Sequence, residues 1–361
     1  MWYTKTKSIK QGRNKKVSYM MFNKFMQKNP LNVCGGGGGG YGNLDLLKIS
    51  LALLIVLRHI GQKFFCANTF WHVYIINTIS TIGVTSFFIM SGFLLFKKTV
   101  NRERLRKQFL RILKLYGCWA VIYLPLNIYN YLKDGIRFPV ALVDFVQKVL
   151  FDGTFYHLWY LPSLIVAMYV VYVMKNRKFA LMLLTTVLMI IGILTDTYGV
   201  SFPNLYYSIF LTTRNGFFMG SFLVAVGKCL ADYESKIRNI RILKLILPVA
   251  IIVLYVEGIL VSKIDSECII NITFTTVIAA IVLVAFMISL PQIEANKNAR
   301  NISTVIYLCH PWIIFAVGSL EHFGIACNGW VKVVISMIMS ICTAFLVVKM
   351  SNKFKIIRKF I

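Results

Sequence analysis

Two ionisable residues interrupt the first long apolar run of the sequence, residues 43–61. Lys48 lies near its start and His59 near its end, eleven positions later. Eleven helical residues make three turns plus about 20°, so both side chains project from one face, about 16 Å apart along the axis. Asp45 can pair with Lys48 on that face. Ionisable groups inside a membrane span indicate a functional site; the alternative is a snorkelling lysine and a histidine at the helix exit.

Polar residues interrupt later apolar runs as well. Ser91 lies among bulky residues near the end of the second run, beside a glycine, which fits close helix packing. His157 opens the fourth run, where an aromatic belt explains its neighbours but not the histidine itself. Helical rise places Arg214 about 13 Å into the sixth run, too deep for easy snorkelling, so it should face a cavity or a partner. Tyr307 and His310 lie at similar depth in the ninth run, where a lone histidine is usually a packing residue.

A strongly basic stretch, residues 97–114, separates the second and third apolar runs. Most of its charges are expected to anchor the chain at the membrane surface. Arg104, Lys107 and Arg111 recur at spacings of three and four residues, which places them on one helical face. Because arginine presents a rigid fork to phosphate oxygens and lysine adds a point charge, this face also fits phosphate binding.

The elements that must position these residues are membrane helices. The chain is 58% hydrophobic and only 15% charged, and its repeated apolar runs approach the twenty residues that a bilayer requires. We therefore predict an all-α, polytopic membrane protein with about ten transmembrane helices. The predicted spans are residues 44–62, 75–96, 115–132, 158–174, 179–195, 205–227, 243–262, 271–290, 302–319 and 329–349.

The net charge of +27 reflects topology rather than nucleic-acid binding. Most lysines and arginines fall in the two tails and in alternate loops, a distribution that the positive-inside rule assigns to the cytoplasm. The intervening loops hold only Arg58, Lys63, Lys133, Arg137, Lys148 and Lys263. We therefore predict a multi-pass protein of the cell membrane with both termini cytoplasmic, whose basic loops meet anionic membrane lipid.

Three regions organise the chain: a basic tail (residues 1–43), a membrane domain (44–349) and a second basic tail (350–361). The glycine run Gly35–Gly40 is interpreted as a flexible linker, since no Gly-Lys-Ser/Thr follows it as in a phosphate loop. The cysteines show neither Cys-x-x-Cys pairs nor metal spacing, so no metal site is predicted. Cys66, Cys268 and Cys327 could face outside, and whether any two of them form a disulfide stays open.

Four short motifs occur in order along the membrane domain. They are Asp45 with Lys48 and His59, then Phe87, Phe88, Ser91, Gly92 and Phe93, then His157 to Trp159, and last Tyr307 to Pro311. In this order and placement the chain resembles, over residues 43–349, the acyltransferase 3 family of membrane acyltransferases, which includes bacterial carbohydrate O-acetyltransferases. Two departures stand out: members more often carry arginine at the place of Lys48, and Gln108 replaces the first arginine of the Arg-x-x-Arg pair that ends at Arg111.

The resemblance implies acyl transfer from cytoplasmic acyl-CoA, as co-substrate and without a bound cofactor, to a hydroxyl of a cell-envelope glycan or a lipid-linked sugar. It implies His59 as general base, because a neutral imidazole can accept the proton of a hydroxyl nucleophile. Lys48 is the second catalytic candidate, which could stabilise negative charge or hold phosphate. The implied donor-binding and acceptor-binding residues are Asp45, Ser91, Arg111, His157, Arg214, Tyr307 and His310.

Two other functions remain open at this stage. The membrane part of membrane-bound serine racemases looks similar and is linked to amino-acid uptake, and a transporter would use the same buried charges to bind a zwitterion. Short helices broken by glycine or proline in matching halves would favour a transporter, and the sequence does not show them. In a scaffold protein the buried charges would only pair with one another.

Overall fold

The computed structural model describes residues 40–64, 76–201, 203, 206, 212–264, 271–323, 328–354 and 357–361. Within those ranges the chain is helical and contains no β-strand, which confirms the all-α prediction. The main helices are α1 (Gly42–Phe64), α2 (Thr78–Phe96), α3 (Arg102–Lys133), α4 (Phe138–Gln147), α5 (Tyr160–Met174), α6 (Lys178–Asp196), α7 (Ser221–Asp232), α8 (Leu243–Ile264), α9 (Phe274–Ser289), α10 (Lys297–Ser319) and α11 (Gly329–Lys353).

Six of these helices are long and apolar enough to cross a bilayer: α2, α3, α6, α8, α10 and α11. Helix α8 exposes Leu245, Val249 and Ile252, each more than half accessible, and such an apolar surface is typical of lipid contact. Helices α5 and α9 have 15 and 16 residues, and α1 carries four charged side chains. The structure therefore confirms membrane character with six candidate spans, and the count of about ten stays a prediction.

The sixth predicted span, residues 205–227, is interrupted by a non-helical segment at residues 212–215. Asn215 has an extended backbone, and its side chain accepts hydrogen bonds from the amides of Phe217 and Phe218, so a helix begins after it, with a π-helical turn at Gly216–Gly220 that leads into α7. Asparagine is a favoured helix cap because its side chain satisfies free amides of the first turn. Arg214 therefore lies in the non-helical segment before the helix, and a depth counted by helical rise does not apply to it.

Helix α3 is much longer than the predicted third span, residues 115–132. It begins at Arg102, after the Asn101 side chain accepts a hydrogen bond from the Arg104 amide at 2.8 Å. Most of the basic stretch is thus the first three turns of a 32-residue helix. Helix α4, which the sequence did not predict, follows and exposes apolar side chains such as Phe138 and Val143.

Helices α1, α2, α7 and α10 form the centre of the bundle, where α1 packs on α10 and α2 packs on α7. The close approach of α2 and α7 depends on two glycines. A Cβ atom on Gly92 would lie 2.4 Å from the Val224 carbonyl oxygen, and one on Gly227 would lie 2.2 Å from that of Ile89. Small residues allow helix backbones to meet at this distance, and the contact fixes the position of Ser91, the neighbour of Gly92.

Several predictions fall at or beyond the limits of the described chain. Residues 1–39 of the N-terminal tail, and with them most of the Gly35–Gly40 run, lie outside the described residues. So do Cys66, Cys268 and Cys327. At the other end α11 continues four residues past position 349, to Lys353, and the Trp119 indole donates a hydrogen bond to the Phe360 carbonyl at 3.0 Å.

Candidate functional site

A cavity of about 460 Å³ lies between α1, α2, α3, α5 and α10, and is called here the Lys48 cavity. Its lining brings together Lys48, Ser91 and Arg111, which lie far apart in the sequence, and adds Tyr307 in its wall. Among the described residues, its lining holds four cationic side chains and no carboxylate. They are Lys48, Arg104, Arg111 and Arg300.

Asp45 holds two of these cations in place. Its Oδ1 lies 3.3 Å from Lys48 Nζ, the pairing that the three-residue spacing predicts, and its Oδ2 lies 3.2 Å from Arg300 Nη1. The backbone amide of Asn296 also donates to Oδ2 at 3.0 Å. A buried carboxylate is stabilised by such charge-assisted hydrogen bonds. Asp45 therefore ties the first turn of α1 to the start of α10 and positions Lys48 at the cavity.

The basic face predicted on α3 is only partly correct. Arg104, Gln108 and Arg111 line the Lys48 cavity, at spacings of four and three residues. Lys107 instead pairs with Glu103 at 2.6 Å, and its side chain is 75% exposed. The helix turns 100° per residue, so Lys107 points away from the cavity. Gln108, the next residue, lines the cavity between Arg104 and Arg111.

The hydroxyl groups of Ser91, Tyr160 and Tyr307 lie in the wall of the same cavity. Ser91 Oγ is 3.1 Å from the phenolic oxygen of Tyr160, and the Tyr160 ring packs against Tyr307 with centroids 5.9 Å apart. The Tyr307 hydroxyl donates a hydrogen bond to the backbone carbonyl of His157. This contact joins α10 to the turn that precedes α5, so Tyr307 helps to position the histidine cluster.

A second cavity, of about 850 Å³, contains His59 and is called here the His59 cavity. The His59 ring stacks on that of His310, with centroids 5.1 Å apart and planes 13° apart, and it also contacts Tyr156 at 4.7 Å. Its Nδ1 lies 3.3 Å from Gln62 Oε1. With Nδ1–H donating to that oxygen, Nε2 carries the lone pair, which is the arrangement that a general base requires.

His157 and His310 are buried behind His59 and line neither cavity. His310 Nδ1 lies 2.7 Å from the Tyr307 carbonyl oxygen and donates to it, which leaves Nε2 as the acceptor nitrogen. His157 contacts His310 edge-to-face at 5.1 Å. The three histidines thus form one cluster, in which only His59 reaches the cavity and the other two support its ring.

The two cavities are neighbours along α1. Ile55 and Val84 line both of them, while Lys48 belongs to one and His59 to the other. The lysine and the histidine therefore share one helix face, about 16 Å apart by helical rise. This arrangement gives the interior two compartments, a cationic one and one that contains a histidine, separated by a single layer of side chains.

Arg214 lies in the His59 cavity, where its Nη1 donates to Asn271 Oδ1 at 2.6 Å. Arg58 donates to the same amide oxygen at 3.3 Å. The Arg214 guanidinium also lies 5.5 Å from the centre of the Trp159 ring. The prediction that Arg214 faces a cavity therefore agrees with the structure, although the residue reaches it from a turn rather than from a helix.

The predicted site lacked Arg58, Asn271 and Arg300, which line these cavities. Arg300 lies seven residues before Tyr307, two helical turns along the same face of α10, and this spacing was a usable signal. Arg58 and Asn271 come together only through tertiary packing, and nothing in their sequence spacing indicates it. Among the described residues, no group of three His, Cys, Asp or Glu side chains could hold a metal ion.

Comparison with known proteins gives the family. The family model for acyltransferase 3, described as an acyltransferase domain, matches residues 41–349, most of the chain. The chain belongs to the acyltransferase 3 family. This membership confirms the resemblance based on the four motifs, and together with the apolar helices it supports a membrane acyltransferase.

Curated relatives of this acyltransferase 3 chain carry a different description. This chain is 31% identical to an amino-acid racemase of Enterococcus faecalis over 214 residues, 55% of this chain and 29% of the relative. A second amino-acid racemase of that species is 25% identical over 87% of the chain and 47% of the relative. A serine/alanine racemase of Enterococcus gallinarum is 24% identical over 82% and 44%. The chain thus spans less than half of each relative, and no solved structure matches it.

Proposed function

We propose that this membrane acyltransferase takes an acyl group, most simply acetyl, from acyl-CoA in the Lys48 cavity. It transfers the group to a hydroxyl of a cell-envelope glycan or lipid-linked sugar in the His59 cavity. The observation that supports this proposal is the pair of adjacent cavities on one face of α1, one lined by four cations and the other containing a histidine. Family membership supplies the reaction class.

The Lys48 cavity suits the phosphate groups of coenzyme A. Arg104, Arg111 and Arg300 present planar forks that match phosphate oxygens, and Lys48 adds a point charge deeper along α1. Since Lys48 lies about 16 Å from His59 along the helix, it acts in donor binding rather than on the atoms that react at the histidine. Asp45 then serves as the residue that positions Lys48 and Arg300.

His59 performs the proton transfer in this proposal. Its Nε2 accepts the proton of the acceptor hydroxyl as the oxygen attacks the thioester carbonyl carbon. The tetrahedral intermediate collapses, the carbon–sulfur bond breaks, and the imidazolium returns the proton to the departing CoA thiolate. Gln62 fixes the tautomer through Nδ1, and the stacked His310 ring holds the imidazole plane.

The test is acetyl transfer by the purified protein in detergent, followed as release of the CoA thiol and as label in an extracted glycan fraction. His59→Ala should reduce the rate by about 10²–10⁴, the usual contribution of a general base. Its affinity for acetyl-CoA should stay within about twofold, because the cationic lining is separate. Undiminished transfer in well-folded His59→Ala protein would remove His59 from the mechanism.

Amino-acid transport is the second candidate, because the curated relatives are described as racemases of amino acids, and an amino acid is a zwitterion. Under this alternative, Arg58 and Arg214 would bind the carboxylate of a zwitterion such as serine. Proteoliposomes separate the two candidates when labelled serine uptake and acetyl-CoA consumption are measured on one preparation. Serine accumulation without any consumption of acetyl-CoA would replace the acyltransferase proposal.

A further inference from the structure

Two arginines in the His59 cavity share one neutral acceptor. Arg214 Nη1 and Arg58 Nη2 both donate to Asn271 Oδ1, at 2.6 and 3.3 Å. An amide oxygen accepts hydrogen bonds but carries no charge that offsets the guanidinium groups. Asn271 thus brings two positive charges together on the wall of the cavity that contains His59.

Arg214 retains binding capacity at this place. Its Nε is buried and has no hydrogen-bond partner among the described residues, and its guanidinium rests over the Trp159 ring. A guanidinium offers five N–H donors in a planar fork, which suits an oxyanion that accepts two parallel bonds. A buried donor without a partner is unfavourable, and a ligand oxygen would satisfy it.

Arg214 forms no ion pair with a carboxylate within the described part of the chain. Asp196 accepts a hydrogen bond from Thr212 Oγ1 at 2.8 Å through Oδ1 and does not pair with Arg214. Among the described residues, the lining of the cavity carries four cations and one acidic residue, Asp152. Lys148, one of the four, is paired with Asp144 at 2.6 Å. The lining therefore has an excess of positive charge, to which Arg214 contributes.

We propose that the His59 cavity selects an acceptor that carries an oxyanion, a carboxylate or a phosphate, and that Arg214 and Arg58 bind this group. A uronic acid or a sugar phosphate has the required chemistry, because it joins an anionic group to nearby hydroxyls. The anion anchored at the arginines would hold one of those hydroxyls at His59, which adjoins Arg58 in the sequence. This inference rests on the proposed function for the identity of the acceptor, but the anion site itself does not.

Direct binding to the purified protein in neutral detergent tests the site without any need for turnover. The probes are D-glucuronate, glucose 6-phosphate and uncharged D-glucose, each at the same ionic strength. We expect at least one anionic sugar to bind about tenfold or more tighter than glucose, the factor that corresponds to about 1.4 kcal/mol. The preferred probe then identifies the anion as carboxylate or phosphate.

Matched variants assign the preference to a residue. Arg214→Gln removes the charge but keeps an amide N–H that can reach Asn271, and it should abolish the preference for the anionic sugar. Arg214→Lys should retain part of it. Arg137→Gln removes the same charge from an exposed site that lines neither cavity, and it should leave the preference unchanged.

The outcomes separate this inference from the proposed function. Equal binding of all three sugars by the wild type would overturn the anion site, as would an unchanged preference in Arg214→Gln. Anion binding that depends on Arg214, in a preparation that consumes no acetyl-CoA with any of the probes, would support the site and count against the acyltransferase proposal. Anion-selective binding together with acetyl transfer to the same probe would support both.

Discussion

At the scale of single residues, the proposed reaction depends on two side chains of α1, and each has a polar neighbour on the same helix: Asp45 lies 3.3 Å from Lys48 Nζ, and Gln62 lies 3.3 Å from His59 Nδ1. Lys48 and His59 were recognised because a charged group in an apolar helix is costly, and helix geometry alone placed them on one face. Arg300 pairs with Asp45 beside Lys48, and His310 stacks on His59; both come from α10, more than 240 positions away, and local spacing carries no information about such contacts. Arg214 was expected to face a cavity or a partner from within a helix; it does line a cavity, but Asn215 starts the helix after it.

Arg111 and Lys107 provide a matched pair for the donor site. They lie four residues apart on α3, yet Arg111 lines the Lys48 cavity and Lys107 is exposed beside Glu103. We expect Arg111→Gln to weaken acetyl-CoA binding about tenfold, equivalent to about 1.4 kcal/mol, because a fork that matches phosphate is lost. Lys107→Gln should change the affinity less than twofold. Equal effects of the two substitutions in a binding titration would contradict donor binding in this cavity.

Gln108 allows a substitution that adds a positive charge to the Lys48 cavity instead of removing one. It lines the Lys48 cavity between Arg104 and Arg111, at the place where family members commonly carry the first arginine of a pair. Gln108→Arg should tighten acetyl-CoA binding severalfold by adding a third fork on α3, and the gain should shrink as salt screens the charges. Titration at low and high ionic strength measures it. Weaker binding in the variant at both salt concentrations would show that the cavity does not receive the phosphates.

At the scale of helices, apolar length predicted the helices well and their ends poorly. The length of α3 was missed because its first turns are strongly basic, and hydropathy does not register a helix that continues out of the apolar layer. The helix start at Gly216, in the π-helical turn that leads into α7, was missed because the capping residue Asn215 lies within an apolar run. Both errors arise where local capping, rather than hydropathy, sets the boundary.

The glycines of the α2–α7 contact give a test at this scale. Gly92→Ala and Gly227→Ala would each place a methyl group within 2.4 Å of a backbone oxygen, so the helices must separate. We expect a loss of about 1–3 kcal/mol in the free energy of unfolding, as overpacking commonly costs, and a lower melting temperature in detergent. Gly117→Ala is the control, since nothing lies within 4 Å of its Cβ position in α3, and alanine there should be neutral or stabilising. A melting temperature unchanged in Gly92→Ala would contradict the packing.

At the scale of the whole molecule, one cluster ties three connecting segments together. Glu234 accepts hydrogen bonds from the Tyr41 hydroxyl at 2.8 Å and from Arg238 Nε at 2.8 Å, and it forms an ion pair with Lys97. Burial alone would raise the pKa of Glu234, but bonds from Lys97, Tyr41 and Arg238 outweigh it and hold the pKa below the ordinary value of 4.5. The cluster therefore stabilises the fold only while Glu234 is ionised.

Because the pKa of Glu234 is lowered in the folded protein, the free energy of unfolding depends on pH. A carboxyl with a depressed folded-state pKa contributes fully above its unfolded pKa of 4.5 and loses that contribution as pH falls through the folded value. Glu234→Gln should therefore lower the melting temperature at pH 7, and the difference from wild type should shrink as pH falls below 4.5 and through the lower folded-state pKa. Asp134→Asn, at an exposed carboxyl, should show no such convergence. A difference that persists unchanged at pH 3 would contradict the role of the ionised carboxylate.

The cluster also bears on topology. Tyr41, Lys97 and Glu234 precede or follow membrane helices in three regions that the positive-inside rule assigns to one side of the membrane. The Asp45–Arg300 pair joins a fourth such region, residues 291–301, to the same side of α1. Charge counting and side-chain contacts are independent, and both put these segments on one face, which we propose is cytoplasmic.

Cysteine labelling tests that assignment. In a variant whose eight native cysteines are replaced by serine, single cysteines at the exposed positions Lys98 and Asn239 should react with a membrane-impermeant maleimide only after the cells are permeabilised. A cysteine at Asp134, just beyond the opposite end of α3, should react in intact cells, because α3 is long enough to cross the bilayer. Labelling of Lys98→Cys and Asn239→Cys in intact cells, with Asp134→Cys protected, would invert the orientation while keeping the fold. Lys98 and Asn239 adjoin Lys97 and Arg238, which both contact the Glu234 carboxylate and must therefore lie on one side of the membrane. Labelling of one variant in intact cells and protection of the other would contradict the Glu234 cluster itself.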